Sequence, residues 1–436
     1  MILLLLGYMW LYIHRPFEIW PRLGNIALER VYIITCAVLW VFLHKKSCIR
    51  NINVLGVFIV TAAILVSDFM TNTSDLTNPI IEEWLKIIFF TILLMTSVRE
   101  EMELKTLLVG FSVIFFVYML HSFYEFKFCG RHVYRMGIPR LTGIGISMSD
   151  PNSFGASIVY FLPILVPLWM TMKGILAIPL RLFGIAALAL AVICITYTGS
   201  RAAFVGFLVY IVLAVAFSKN RWKILFSSAV IFPIIWVNMD QRLQNRYLTL
   251  VDPTKGPTNA QVSVEGRFEG FRTGIALFKK SPLYGFGPGS AQNYTATGLQ
   301  THNFIGQVAG ELGGIGLLSY AFLCFCITLN YIYSRFYWKI LTTRCPTADP
   351  YLFLVSQAIF IAMILLLVMG LGSHNAFRYT WVWYAMFQSM AVVALKKKTD
   401  DFIREQKENH DDDTQVDHIS EQTPMNHPVT AATYPV

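Results

Sequence analysis

THNFIGQVAGELGGIG, residues 301–316, decides the reading of this chain. His302 stands at its mouth, glycines recur at Gly306, Gly310, Gly313, Gly314 and Gly316, and an apolar run continues to Tyr331. A helix this dense in glycine lets neighbouring backbones approach closely. Glu311 lies within the apolar run, where an ionisable group is either a paired structural acid or a functional one. The stretch reads as a helix entering a membrane directly from a long hydrophilic loop.

The rest of the chain agrees. Of 436 residues, 55% are hydrophobic and only 14% charged, and mean hydropathy is +0.54. Soluble domains carry about 25% charged residues. Apolar runs long enough for a hydrocarbon core of about 30 Å recur throughout. They cover Met1–Ile13, Ile26–Leu43, Val54–Met70, Ile81–Val98, Leu104–Phe123, Phe154–Met172, Leu182–Tyr197, Ala202–Phe217, Ile224–Val237, Phe304–Tyr331, Tyr351–Leu371 and Tyr379–Leu395. The expectation is an all-α, polytopic helical membrane protein of about twelve transmembrane helices. The opening run has no basic n-region and no A-x-A site, so it does not read as a cleaved signal. Seven cysteines show neither a disulfide framework nor zinc spacing.

The net charge of +9 does not point to nucleic acid, because Lys and Arg fall in short clusters between apolar runs. Alternate connections are basic: Lys45/Lys46/Arg50, Arg99/Lys105, Lys173/Arg181, Lys219/Arg221/Lys223, Arg335/Lys339/Arg344 and Lys396/Lys397/Lys398. The positive-inside rule assigns these to the cytoplasm. TNTSDLTNP, residues 71–79, then lies outside, and the basic loop Lys127–Arg140 is the exception among the outer links. The longest connection, residues 240–302, is outer and periplasmic on this alternation. It holds the turn-rich DPTKGPTN and then GRFEGFRTGIALFKKSP, where Phe268, Phe271, Ile275 and Phe278 recur at helical spacing up to Ser281-Pro282. That pattern predicts an amphipathic helix lying on the membrane surface. Residues 1–397 form the transmembrane domain, and 398–436 read as a disordered cytoplasmic tail.

This topology collects ionisable side chains on one face: Arg201 at a helix junction, Arg267 and Arg272 in the long loop, His302 at its end, and His374 and Arg378 in the last outer turn. Each has a bland reading on its own. Arg201 can snorkel to the interface, Arg267 can anchor a helix to lipid phosphate, and His302 can cap the re-entering helix. Together they suit one chemistry. Guanidiniums give bidentate donors to a diphosphate. A histidine near its ordinary pKa of about 6.5 takes a proton from an attacking hydroxyl. No outer pair of carboxylates suggests a metal, and no cofactor motif is evident.

Three pieces, TGSRAAFVG, GRFEGFRTGIALFKKSPLYGFGPGS and THNFIGQVAGELGGIGLL, resemble in order the O-antigen ligase and O-antigen polymerase superfamily of bacterial inner-membrane proteins. LYIHRPFEIWP and DPNSFG are similar to further pieces. The resemblance implies a C-type membrane glycosyltransferase fold and metal-independent, inverting transfer of a glycan from undecaprenyl diphosphate in the periplasm. It implies that Arg201 and Arg267 contact the diphosphate and that His302 is the catalytic base. Arg272, Glu311, His374 and Arg378 remain possible accessory residues, on position alone. Phe271 stands where the family often has tryptophan. The expected partners are the carrier-linked glycan, membrane lipids and an acceptor such as lipid A core. A ligase is the favoured reading, beside a polymerase or a protein oligosaccharyltransferase. A lipid-glycan flippase is the reading from another class, but it would need a charged path through the membrane.

Overall fold

Every one of these apolar runs is a helix in the computed structural model, which describes residues 1–24, 26–43, 46, 49–71, 79–135, 137–145, 149–171, 175, 177–252, 259–295 and 301–421. In order they are α1 (Ile2–His14), α2 (Pro16–Ile19), α3 (Pro21–Gly24), α4 (Leu28–Leu43), α5 (Ile52–Thr71), α6 (Pro79–Ser97), α7 (Glu101–Phe128) and α8 (Pro151–Thr171). There follow α9 (Ala177–Thr198), α10 (Arg201–Phe217), α11 (Arg221–Val237), α12 (Gln241–Leu248), α13 (Asn259–Lys280), α14 (Phe304–Arg344), α15 (Tyr351–Gly370) and α16 (Tyr379–Glu421). Proline opens α2, α3, α6 and α8, where its missing N–H costs nothing and its fixed φ suits the first turn.

Among the described residues, six helices are long and apolar enough to cross a membrane: α5, α7, α8 to Met170, α9, α14 and α15. The other apolar helices are shorter or more charged, so this count is half the twelve expected. TNTSDLTNP, DPTKGPTN, Lys45 and Lys173 lie wholly or largely outside the described residues.

Four features differ from expectation. The loop Lys127–Arg140 contains a small antiparallel hairpin, β1 (Val133–Arg135) paired with β2 (Ile138–Arg140). Residues 241–248 form the extra helix α12, which Asp240 caps by accepting from Arg242 N at 2.8 Å. The run from Phe304 is broken at Gly313, whose φ of 66° and ψ of −154° no helix admits, and its second part continues to Arg344. The final helix does not stop at Lys398 but runs to Glu421. Lys398 Nζ meets Glu101 Oε2 at 2.8 Å.

The first part of α16 is the centre of the bundle. WVWYAMFQSMA, residues 381–391, is buried at every position, as an all-round apolar helix must be. Its amide and hydroxyl are bonded: Gln388 Oε1 accepts from Asn53 Nδ2 at 2.9 Å, and Ser389 Oγ donates to Ala385 O at 2.8 Å, while Trp383 Nε1 is buried without a partner among the described residues. One end of the bundle is pinned by Lys398–Glu101 and Lys105–Asp349. The other end carries the candidate site.

Candidate functional site

A glycine seam builds the site. Gly270 and Gly274 of α13 stand four apart, as do Gly306 and Gly310 of α14, so each pair shares a helix face. A Cβ at Gly274 would lie 2.1 Å from Gly306 O, and one at Gly310 would lie 3.1 Å from Gly274 Cα. Nothing larger than hydrogen fits at Gly274. The same seam sets α13 across the start of α14, where a Cβ at Gly270 would lie 3.0 Å from His302 N. Arg267, one turn before Gly270, is thereby placed beside the histidine. On the open side of α13, Phe268 and Phe271 are exposed.

The turn between α15 and α16 is pinned to the same place. Asn303 caps α14, its Oδ1 accepting from Gly306 N at 2.8 Å, while its Nδ2 donates to Leu371 O at 3.1 Å. Gln307 Oε1 accepts from Ala376 N at 3.3 Å, and Tyr320 Oη donates to Ala376 O. Phe304 stacks on Trp381 with ring centroids 5.4 Å apart. The His302 and His374 rings consequently lie 5.3 Å apart, centroid to centroid. Arg267 covers Gly372, where a Cβ would sit 3.4 Å from the guanidinium carbon.

The electrostatics keep both histidines neutral. His302 opens to the surface, yet the protein around it thins its solvation and lowers its pKa; Asp150 opposes this, and Arg267 and Arg135 add to it. His374 is pushed down to about 3 by burial, with Arg378 and His302 contributing. Arg267 itself is lowered by burial and then by Arg201.

Arg201 is the first residue of α10, after a turn in which Gly199 has φ 55°. Two buried arginines grip that turn. Arg140 donates from Nε to Thr198 O at 2.7 Å and from a terminal nitrogen to Asn152 Oδ1 at 2.9 Å, and Arg246 donates to Gly199 O. Arg201 donates to Thr249 Oγ1 at 3.1 Å. Burial, with Arg246 next, lowers Arg140 to about 10. Burial and Arg201 lower Arg246. The bonds described for these three buried guanidiniums run to neutral oxygens, and the charge of Asp150 bears on Arg140.

The accessory residues separate. His374 joins His302, and Arg378 lies beside His374, donating to Ser153 Oγ at 3.4 Å. Arg272 is exposed on α13 away from the seam. Glu311 has a different task. It is 2% exposed and accepts from Ala291 N and Gln307 Nε2, each at 3.4 Å. The glycine loop it holds fills the break in α14: Phe286 N donates to Gly310 O at 3.0 Å, Gly287 N to Glu311 O at 2.9 Å, and Gly314 N to Pro282 O at 2.8 Å.

Asp150, Arg140 and Arg246 were not singled out in the sequence. Asp150 caps α8, accepting from Ser153 N at 2.9 Å, and its charge bears on both His302 and Arg140. The signal for it was DPNSFG, an Asp-Pro at a helix start. Arg140 and Arg246 had no local signal, because the Thr198–Gly199 turn they grip is more than forty residues away in sequence. Among the described residues, no three His, Cys, Asp or Glu side chains converge as metal ligands do.

Comparison with protein families matches residues 186–321 to the family described as O-antigen ligase. The match runs from α9 through Arg201, Arg267 and His302 into the second part of α14. Comparison with curated proteins gives no match.

Proposed function

We propose that this chain, whose residues 186–321 match the family described as O-antigen ligase, transfers a glycan from a polyprenyl diphosphate, undecaprenyl diphosphate in bacteria, to a hydroxyl acceptor such as lipid A core. One observation carries the reading: the glycine seam places Arg267 beside His302, a histidine kept neutral at neutral pH. In the reaction, the acceptor hydroxyl oxygen attacks the anomeric carbon and its proton passes to His302. The bond from that carbon to the diphosphate oxygen breaks, and the electron pair leaves with the diphosphate. Arg267 and Arg201 hold the leaving group through charge-assisted hydrogen bonds. The new bond forms opposite the old one, with inversion. Arg140 and Arg246 fix the turn that presents Arg201.

The alternating basic connections support an orientation with this end facing the periplasm of a bacterial inner membrane, residues 1–397 forming the membrane domain. Phe268 and Phe271, exposed on α13, suit a surface that rests on lipid.

Deletion of the gene tests the reading. Long chains stranded on the carrier, with bare acceptor at the cell surface, are the expected result. Surface acceptors bearing a single repeat would instead indicate a polymerase of the same superfamily. Unchanged glycan on both carrier and surface would refute transfer altogether.

A further inference from the structure

Beside the histidine pair lies a recess of different character. Ser157 and Tyr160 of α8 face Ser373, His374, Asn375 and Thr380 of the α15–α16 turn across it. Arg378 lines one side, but the remaining polar groups are hydroxyls, an amide and a neutral imidazole. Three of them are buried with no hydrogen-bond partner among the described residues: His374 Nδ1, Asn375 Oδ1 and Thr380 Oγ1. Asn375 is 4% exposed and Thr380 3%. A buried polar atom left unpaired is costly, and these three belong to residues that line one recess, a place suited to a polar guest.

The chemistry of the guest follows from these atoms. Asn375 Oδ1 can only accept, while the Thr380 hydroxyl and the His374 ring can each donate or accept. A neutral group that does both, the hydroxyl, complements all three. The site therefore divides at the histidine pair. His302 feels the charge of Arg267, and His374, 5.3 Å from it, lines the hydroxyl-rich recess that Arg378 borders.

We propose, resting on the transfer reaction above, that this recess binds hydroxyl groups of the acceptor sugar and so presents the neighbouring, attacking hydroxyl to His302. Thr380, Asn375 and Ser157 are binding residues for the acceptor, not for the diphosphate donor.

The test uses the full-length protein in lipid nanodiscs. A radiolabelled carrier-diphosphate-linked glycan is the donor, and the total envelope lipid extract of the host is the acceptor. Thr380→Val keeps the shape and removes the hydroxyl; Ser157→Ala is the second variant. Each is expected to raise KM for the acceptor extract about tenfold, the equivalent of one good hydrogen bond, while KM for the donor stays within about twofold. Thr380→Ser should restore the wild-type value, which separates binding from packing. An unchanged acceptor KM in both variants, as for a recess that merely holds water, overturns the proposal. So does a parallel rise in both KM values. Failure of the wild-type protein to transfer any label would instead sink the transfer reaction itself.

Discussion

Arg15 and the three arginines around the Thr198–Arg201 turn are held in different ways. Arg15, at the end of α1, is met by carboxylates: Glu18 Oε1 at 2.9 Å and Glu83 Oε1 at 3.0 Å, with Glu29 also bearing on it. Around the Thr198–Arg201 turn, the bonds found for Arg140, Arg201 and Arg246 run to carbonyl, amide and hydroxyl oxygens. The charges that bear on Arg246 and Arg267 include Arg201 in each case. A guanidinium fixed by carboxylates has its charge neutralised by the fold. Guanidiniums whose described bonds run to neutral oxygens suit an incoming anion better, and Arg140 also feels the charge of Asp150.

Substitutions can break that contrast. Arg267→Ala should cost about 10²- to 10³-fold in turnover, the usual effect of removing one donor to a developing anion, with the melting temperature little changed. Arg15→Met should do the reverse, lowering stability by about 1–2 kcal/mol, because Glu18 and Glu83, both partly buried, lose the guanidinium that bridges them. Turnover per folded molecule should stay within about twofold, measured in the same nanodisc preparation. Equal losses of turnover in the two variants would erase the distinction.

The glycine seam sharpens it further. Gly274→Ala drives a methyl group into Gly306 O and should lower both thermal stability and turnover, since helix and arginine move together. Gly266→Ala, where a Cβ would meet nothing within 4 Å, is the control and should leave both within error.

The smallest effects concern protonation. His302 must be neutral to accept a proton, and its pKa lies below the ordinary value. Transfer should therefore stay flat as pH falls through about 6.5 and decline only below it. Histidine ring NMR should show the His302 midpoint rising in Arg267→Gln, which removes a cation, and falling in Asp150→Asn, which removes an anion. Arg272→Ala, on the exposed side of α13, should change turnover by less than about twofold.

Much of this was legible in the chain. The twelve apolar runs fall on helices because composition alone selects that structure in an apolar phase. The Phe268–Phe278 pattern and its stop at Ser281-Pro282 correctly located α13, which ends at Lys280. Gly306 and Gly310 declared close packing, yet their partners, Gly270 and Gly274, became visible only when the helices met. Glu311 was suspicious as a buried acid, but its bonds to the loop backbone depend on a break at Gly313 that helical periodicity hides. Beyond Lys398 the polar composition reads as a disordered tail, while α16 runs to Glu421. Arg140 and Arg246 escaped notice for a simpler reason: they act on residues distant in sequence.

The most direct test of the account is His302→Ala in nanodiscs with radiolabelled carrier-linked glycan, reading donor binding and transfer together. Donor binding like wild type, held by Arg267 and Arg201, is expected, with transfer reduced by about 10²- to 10⁴-fold, the usual contribution of a general base. Transfer at the wild-type rate would contradict it.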